Sequence, residues 1–333
     1  MLIFVALLIT VGASELPTKS DSAKQSIAED TRILTGQELV DYVNKHQKFF
    51  KAEYSPEAEE FGRSRIMDSK YIDQIDGDVI EDVDSDEEIP ERIMLGGIFS
   101  RSNERPSVRP VQWDNKGKTN AHLSDTDILA CCGILCGFGC MGGITTLAWA
   151  YFVREGVCTG GRYRERGVCK PYPFYPCGVH KDQPFYGDCP KGIWKTPTCR
   201  RTCQFRYNKP YLEDKIYGKR AYILPTNETV IQREIMKNGP VIASFKVYKD
   251  FLYYKSGIYV HTNGTEQGGH AVKMLGWGVE NNVKYWLLAN SWNTDWGENG
   301  YFRILRGENH CTIEQGAVAG MIDFERSKKA MNV

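Results

Sequence analysis

Residues 268–300 read GGHAVKMLGWGVENNVKYWLLANSWNTDWGENG and carry three side chains that could do chemistry together: His270, Asn290 and Trp292. The unperturbed imidazole changes charge near neutral pH, so His270 is a candidate proton carrier. Asn290, twenty residues further on, could fix one ring nitrogen through its amide. Trp292 could keep water from that hydrogen bond, which strengthens it. A neutral amide orients the ring without adding a full negative charge, and that suits an imidazole paired with a thiolate. Gly268 and Gly269 leave room for a substrate or another part of the chain beside the ring. A single His next to two glycines is more often structural than catalytic; the three features together shift that balance.

These side chains need strand ends to hold them. Val283, Tyr285, Leu287 and Ala289 alternate with Lys284, Trp286, Leu288 and Asn290, a period of two that predicts a strand ending at the candidate orienter. Further strands are predicted over 241–247, 257–260, 270–278, 300–306 and 317–322. A helix over 227–238 precedes them and is stopped by Gly239-Pro240. Many short strands with Gly-rich turns suggest a partly closed barrel.

The thiolate is harder to find. Ten of the eleven cysteines fall between positions 131 and 203, with Cys311 alone beyond them. Such crowding reads as a local disulfide framework in an oxidising compartment, and the odd number leaves at least one thiol over. Zinc binding by the cysteines of 131–140 is disfavoured, because an exported chain oxidises such thiols. Ser124-Asp-Thr-Asp127 caps a short helix leading into this block. Ile144, Leu147, Ala148, Tyr151 and Phe152 then form one apolar helix face, stopped by Gly156. From 158 to 203 the chain is rich in Pro, Gly, Tyr and Cys, an irregular excursion stapled by disulfides.

The N-terminal ninety residues read differently. Residues 1–13, MLIFVALLITVGA, are too short to span a bilayer and resemble a signal-peptide core with its cleavage site, which predicts the secretory route. Thr35-Gly-Gln-Glu38 resembles a capping box, and Leu39, Tyr42, Val43, His46, Phe49 and Phe50 follow helical spacing behind it. A weaker helical segment covers 57–67. Residues 73–91 hold ten carboxylates, too acidic to fold alone, and their mutual repulsion eases as pH falls. Residues 90–120 are basic, aperiodic and without cysteine. Charge is balanced at 42 Lys plus Arg against 42 Asp plus Glu, so no global field draws in nucleic acid or a membrane surface. No later run is apolar enough for a membrane helix. Asn227-Glu-Thr and Asn263-Gly-Thr are glycan acceptor triplets.

GGHAVKMLGWG and ANSWNTDWGENGYFRILRG resemble the His and Asn motifs of papain-family cysteine proteases. CCG…CGFGCMGG and the Cys-rich excursion narrow the resemblance to the cathepsin B type, most like those of blood-feeding worms. It covers about 35–71 and 117–320. It implies an α+β, two-domain papain-like fold, with a helical left domain and a β-barrel right domain behind an N-terminal propeptide. The corresponding plan is a signal peptide over 1–14, a propeptide with acidic linker over 15–88, a left domain over 89–220 and a right domain over 221–333. Substrates would be proteins or peptides, and cystatin-type inhibitors are possible partners. No cofactor or metal is expected, and no nucleic acid or membrane. Secretion or lysosomal delivery is the expected destination.

By motif match, His270 is the acid/base, Asn290 its orienter and Trp292 the shield, with Gly268 and Gly269 beside the substrate. In the family the nucleophile opens a central helix, where the helix dipole and the imidazolium hold it as thiolate, and a Gln helps bind the oxyanion. Both belong between 89 and 116, where this chain has the aperiodic junction. Cys136-Gly-Phe-Gly-Cys140 does not replace them: it has one residue too many, and Met141 stands where the pattern has an aromatic. The resemblance implies the pairs Cys132–Cys136, Cys131–Cys199, Cys169–Cys203 and Cys177–Cys189. Cys140 is orphaned by the missing stretch, and Cys158 and Cys311 are unassigned. Cys169 to Cys189 resembles the occluding loop that gives the type its carboxydipeptidase activity. Only His180 is present there, where the family has two histidines. Gly316 falls at the base of the pocket for the second residue before the cut, which favours bulky apolar residues over Arg. Three outcomes fit: an endopeptidase whose coding sequence has been mis-assembled in one stretch, an inactive pseudoprotease that binds peptides or inhibitors, or a non-catalytic disulfide-rich secreted protein.

Overall fold

The computed structural model describes residues 33–74, 77–80, 83, 88–94, 121–181 and 183–331. The expected signal segment, part of the acidic run and residues 95–120 of the junction lie outside the described residues.

In chain order the strands are β1 (Phe50–Ala52), β2 (Ile93–Met94), β3 (Val157–Cys158), β4 (Gly160–Gly161), β5 (Lys170–Pro171), β6 (Lys215–Ile223), β7 (Val241–Tyr248), β8 (Tyr254–Tyr259), β9 (Glu266–Glu280), β10 (Val283–Ala289), β11 (Tyr301–Leu305) and β12 (Val318–Asp323). Ten of them make one sheet in the order β1-β8-β11-β10-β9-β7-β12-β6-β3, with β2 added to β9; β4 and β5 pair separately. Helices Gly36–His46, Pro56–Arg63 and Lys70–Asp73 lie in the pro-segment, Asp125–Cys131 and Thr145–Glu155 in the Cys-rich half, Glu228–Asn238 before β7 and Phe324–Met331 at the end.

The α+β character is as the resemblance implies, but the expected barrel is not closed. The end strands β1 and β3 are not paired with each other among the described residues. The edges are taken instead: pro-segment β1 adds to β8, and β3 of the Cys-rich half adds to β6. Strand β6 also runs through position 220, where the two domains were expected to divide.

The core shows why the pro-segment stays on. Trp277, Trp286, Phe245, Phe251, Phe302, Leu288 and Met274 are buried between the strands, and Leu39, Val40 and Val43 of the first helix join the same cluster. Each such side chain is worth about 1.5–3 kcal/mol when fully buried. A second cluster packs Leu123, Trp149 and Phe152 against Val157, Ile216 and Ile322, tying the Cys-rich half to β6 and β12.

Two expected helices are shorter than their patterns suggested. The first ends at His46, and Phe50 is a strand residue paired with Gly257. Gln47 stops the helix by turning its side chain to the 49–50 backbone, accepting from the Phe49 and Phe50 N–H groups. Thr35 precedes this helix but makes no side-chain capping bond. The second ends at Arg63, and Met67 is extended against β9. Elsewhere local chemistry follows the sequence: Ser124 Oγ accepts from Asp127 N, and Asn227 Oδ1 caps Thr229 N and Val230 N. Leu147, expected on the apolar face of its helix, is partly exposed, and Trp149 is buried there instead.

Candidate active site

Strand β9 lies between β10 and β7, and that placement sets the site. A two-residue turn, Asn281-Asn282, joins β9 to β10 with both residues in the left-handed region (φ 51° and 63°), the backbone that matches hairpin twist. Register then runs from Val283 opposite Glu280 to Ala289 opposite Lys273, with one irregularity at Leu287/Leu288 where Leu275 is left over on β9. Such a bulge re-aims the residues beyond it, here His270 on β9 and Asn290 just past β10.

His270 Nε2 and Asn290 Oδ1 are 2.8 Å apart. An amide oxygen only accepts, so Nε2 carries the proton and the neutral ring presents its lone pair at Nδ1. Asn290 N donates to Gly300 O at 2.9 Å, and Asn290 Oδ1 also accepts from Ser291 N at 2.7 Å, which fixes the amide. Trp292 stacks on the imidazole with centroids 5.1 Å apart and is 1% exposed. His270 and Asn290 are themselves buried at 6% and 4%. Burial lowers the imidazole pKa to about 4; the Asn290 hydrogen bond works against this, and the Arg65 charge adds to it.

The pro-segment covers this pair. Met67 N donates to Gly269 O at 2.8 Å and Gly269 N to Met67 O at 2.7 Å. The two glycines are required by this approach: a Cβ on Gly268 would lie 2.3 Å from Met67 O, and one on Gly269 would lie 2.4 Å from Ile72 Cδ1. Upstream, Gly62 packs over Leu252 and Trp292, and Glu59 accepts from Lys249 Nζ and Tyr253 OH, both at 2.5 Å. Arg65, Glu59 and Met67 were not singled out in the sequence. The segment's helical spacing obscured them, although two carboxylates and two arginines within seven residues marked it as more than a spacer.

Four disulfides are formed, Cys131–Cys199, Cys132–Cys136, Cys169–Cys203 and Cys177–Cys189, the pairs the resemblance implies. Cys140, Cys158 and Cys311 are free. Burial pushes all three thiols above their ordinary range, opposite to the depression that activates a nucleophile. None of them is hydrogen-bonded to His270. Among the described residues one group could gather round a metal, Cys158, Cys169 and Asp214. The Cys169 sulfur is already bonded to Cys203.

His180 sits in the Cys177–Cys189 loop with Nδ1 2.9 Å from Asp295 Oδ2 and Nε2 2.8 Å from Cys177 O. The Asp295 hydrogen bond raises its pKa despite partial burial. Gln183 Nε2 donates to Asn293 Oδ1 at 2.7 Å, so the loop is clasped twice to the segment just past Trp292. Gly316 lies against Ser244, with 2.7 Å between its would-be Cβ and Ser244 O. Asn227 is exposed and Asn263 half-buried.

A buried His–Asn pair under a Trp, on a mixed sheet overlaid by its own pro-segment, is the layout of a thiol-protease zymogen. The family described as "Papain family cysteine protease" matches residues 109–321, and the chain belongs to that family. Within it the chain is cathepsin B-like. It is 42% identical to cathepsin B-like cysteine proteinase 1 of Haemonchus contortus, covering 92% of this chain and 94% of the relative. It is 41% identical to cathepsin B-like cysteine proteinase 5 of Caenorhabditis elegans, covering 88% and 92%. Among solved structures, procathepsin B S9 from Trypanosoma congolense aligns with a TM-score of 0.68 at 30% identity, covering 87% of this chain and 98% of that one.

Proposed function

We propose that this chain is a cathepsin B-like endopeptidase zymogen with the acid/base half of its site intact and the nucleophile-bearing stretch displaced by the 90–120 junction, so that as written it does not cut. The observation that carries this is the His270–Asn290 hydrogen bond at 2.8 Å with no thiol bonded to the imidazole. In an intact site a thiolate would attack the peptide carbonyl and His270 would protonate the leaving amine. Here the ring is neutral, and the charge it feels is the Arg65 cation. The engagement of both His180 nitrogens supports endopeptidase over carboxydipeptidase action, since neither is free to receive a terminal carboxylate. Gly316 beside Ser244 supports bulky apolar residues in the second pocket. Four disulfides support the secretory route.

A second reading, a pseudoprotease that holds peptides, is favoured by the backbone pairing of Met67 with Gly269, which needs no nucleophile. Transcript sequence across the codons for 89–119, together with thiol-dependent hydrolysis of a peptide amide by the purified 333-residue chain, separates the two. A Cys-Gly-Ser-Cys-Trp helix preceded by Gln in the transcript restores the endopeptidase. A transcript matching this sequence leaves the pseudoprotease. Cleavage by the chain as written sinks the displaced-nucleophile reading.

A further inference from the structure

Away from the His270 cleft, a free thiol lies beside a disulfide in the buried base of the excursion. Cys158 closes β3, and Cys169, bonded to Cys203, precedes β5; both are fully buried and pack with Tyr211. The Cys158 sulfur, the Cys169 sulfur and a carboxylate oxygen of Asp214 all lie within 4.8 Å of one another.

Hydrogen bonds hold the backbones behind these sulfurs. Cys158 N donates to Asp127 Oδ2 at 3.1 Å, and Cys158 O accepts from Ser124 N at 2.9 Å. Cys169 N donates to Thr159 Oγ1 at 3.0 Å, and Lys170 N to Thr159 O at 2.9 Å. Thr159 N and Oγ1 donate in turn to Asp214 Oδ2, both at 2.7 Å. Cys169 is thus tied to the β3 end by contacts that do not involve its bridge. On the other side Gln204 N donates to Cys169 O at 2.8 Å, and Gln204 Nε2 donates to Glu165 O at 3.0 Å and Val168 O at 2.6 Å. These contacts keep Cys203 beside Cys169 as well. Three sulfurs are gathered where only two can be joined, and a change of the Cys158 rotamer closes the remaining gap without moving the chain.

Attack of a thiolate on a neighbouring disulfide is the chemistry open to such a set. Burial suppresses the Cys158 thiolate, and the Asp127 and Asp214 charges add to this while Lys170 and Lys215 oppose it. Tyr207 and Tyr211 complete the surrounding titratable groups, donating to Asp214 and Asp127. The step is therefore slow near neutral pH and accelerates as pH rises.

We propose that Cys158 is an internal exchange partner of the Cys169–Cys203 disulfide, which gives the excursion a second, isomeric bridge, Cys158–Cys169. The Cys158 thiolate attacks the Cys169 sulfur. The new bond forms as the 169–203 bond breaks, and Cys203 leaves as a thiolate and takes up the proton that Cys158 lost. Four disulfides and three thiols remain, so neither oxidant nor reductant is consumed. The free thiol moves from a fully buried position to the partly exposed Cys203, and residues 204–209 lose their covalent tie to Cys169.

The test starts by blocking Cys140 and Cys311 of the full 333-residue chain with N-ethylmaleimide and removing the reagent. The folded chain is then held at about pH 6 or about pH 9, which differ in thiolate population. It is next quenched with acid, unfolded and labelled with a second maleimide, and its linked peptides are mapped by mass spectrometry. The Cys158–Cys169 peptide and the label on Cys203 are expected to rise at least tenfold at the higher pH, independently of protein concentration. C158S should show neither signal, and C140S/C311S should behave as the parent. C203S, oxidised with glutathione disulfide, should close the Cys158–Cys169 bridge directly, which tests the reach even if C158S does not fold. The proposal is overturned by absence of the Cys158–Cys169 peptide in the parent at the higher pH, or by equal Cys203 labelling in C158S. A rate that scales with protein concentration, or an oxidised C203S in which Cys158 and Cys169 do not join, overturns it equally.

Discussion

Met67 and Gly269 exchange both backbone hydrogen bonds, at 2.8 and 2.7 Å, one residue before His270. The pro-segment thus meets the cleft through one antiparallel bridge, in which main-chain bonds supply affinity whatever the side chains. Access to the imidazole is governed by what holds this segment down.

Gly268 is the first place to interfere. Its φ of +135° and the 2.3 Å between a would-be Cβ and Met67 O exclude a branched side chain. Gly268→Val should weaken pro-segment docking by about 1–3 kcal/mol through overpacking against the Met67 carbonyl. Limited proteolysis within 62–72 should be faster than in the parent at equal temperature. Unchanged protection would show that the pairing does not hold the segment.

Glu59 is the second. Burial raises its pKa, but the Lys249 and Tyr253 hydrogen bonds and the Lys249 and Arg63 charges outweigh this, and the net direction is down. A carboxyl lowered in the fold stabilises above its ordinary value and loses that stabilisation as pH falls through the folded value. Glu59→Gln should cost about 2 kcal/mol at neutral pH and flatten the acid limb of a pro-segment release curve. An unaltered curve would remove Glu59 from the latch.

His270 pushes in the same direction. Its folded pKa of about 4 lies below the ordinary imidazole value of 6.5, so between those two pH values the opened state binds the extra proton. Covering the ring is therefore worth less at pH 4 than at pH 7. NMR titration of the intact chain should show this ring neutral down to about pH 4. Because the Asn290 hydrogen bond raises the pKa, Asn290→Ala should lower it further; a rise would mean that the amide does not hold Nε2–H.

His180 runs the other way. Its pKa is raised by Asp295, so the clasp is fully made below pH 6.5 and is lost as pH climbs through the higher folded value. Acid therefore tightens the excursion over the cleft while loosening the pro-segment. Asp295→Asn should bring the His180 titration back toward 6.5 and raise proteolysis within 177–189 at acid pH. Identical cutting in both forms would leave the 2.9 Å contact without consequence for the loop.

The free thiols give a structural check. Cys158 is fully buried, whereas Cys140 and Cys311 are both partly exposed. A disulfide reagent should reach Cys140 and Cys311 in the native chain and Cys158 only after unfolding. A fast native reaction at Cys158 would contradict this packing.

Strands β9 and β10 were legible in the sequence because both are rich in β-branched and aromatic residues and a tight turn joins them, although β10 is buried on both faces rather than one. So were His270, Asn290 and Trp292, whose spacing is that of the hairpin. Sequence pattern failed where partners are distant. Phe50 and Met67 follow helical spacing, yet both are drawn into strand pairing, Phe50 with Gly257 and Met67 with Gly269, contacts no local rule foresees. Strand β6 went unread because KIYGKRAYI interrupts its alternation with Gly and two charges. The Asp295 clasp on His180 joins residues 115 apart, and nothing in either segment announces it.

The Asn281-Asn282 turn also has a consequence in time. The hairpin it closes pairs neighbours in sequence, the kind of contact that forms in about 1–10 μs, whereas β1 must find β8 across some two hundred residues. His270 and Asn290 are thus set in register by a pairing local in sequence, which needs neither the pro-segment nor the Cys-rich half. The geometry of the proton-handling pair is therefore written in one short stretch of the chain.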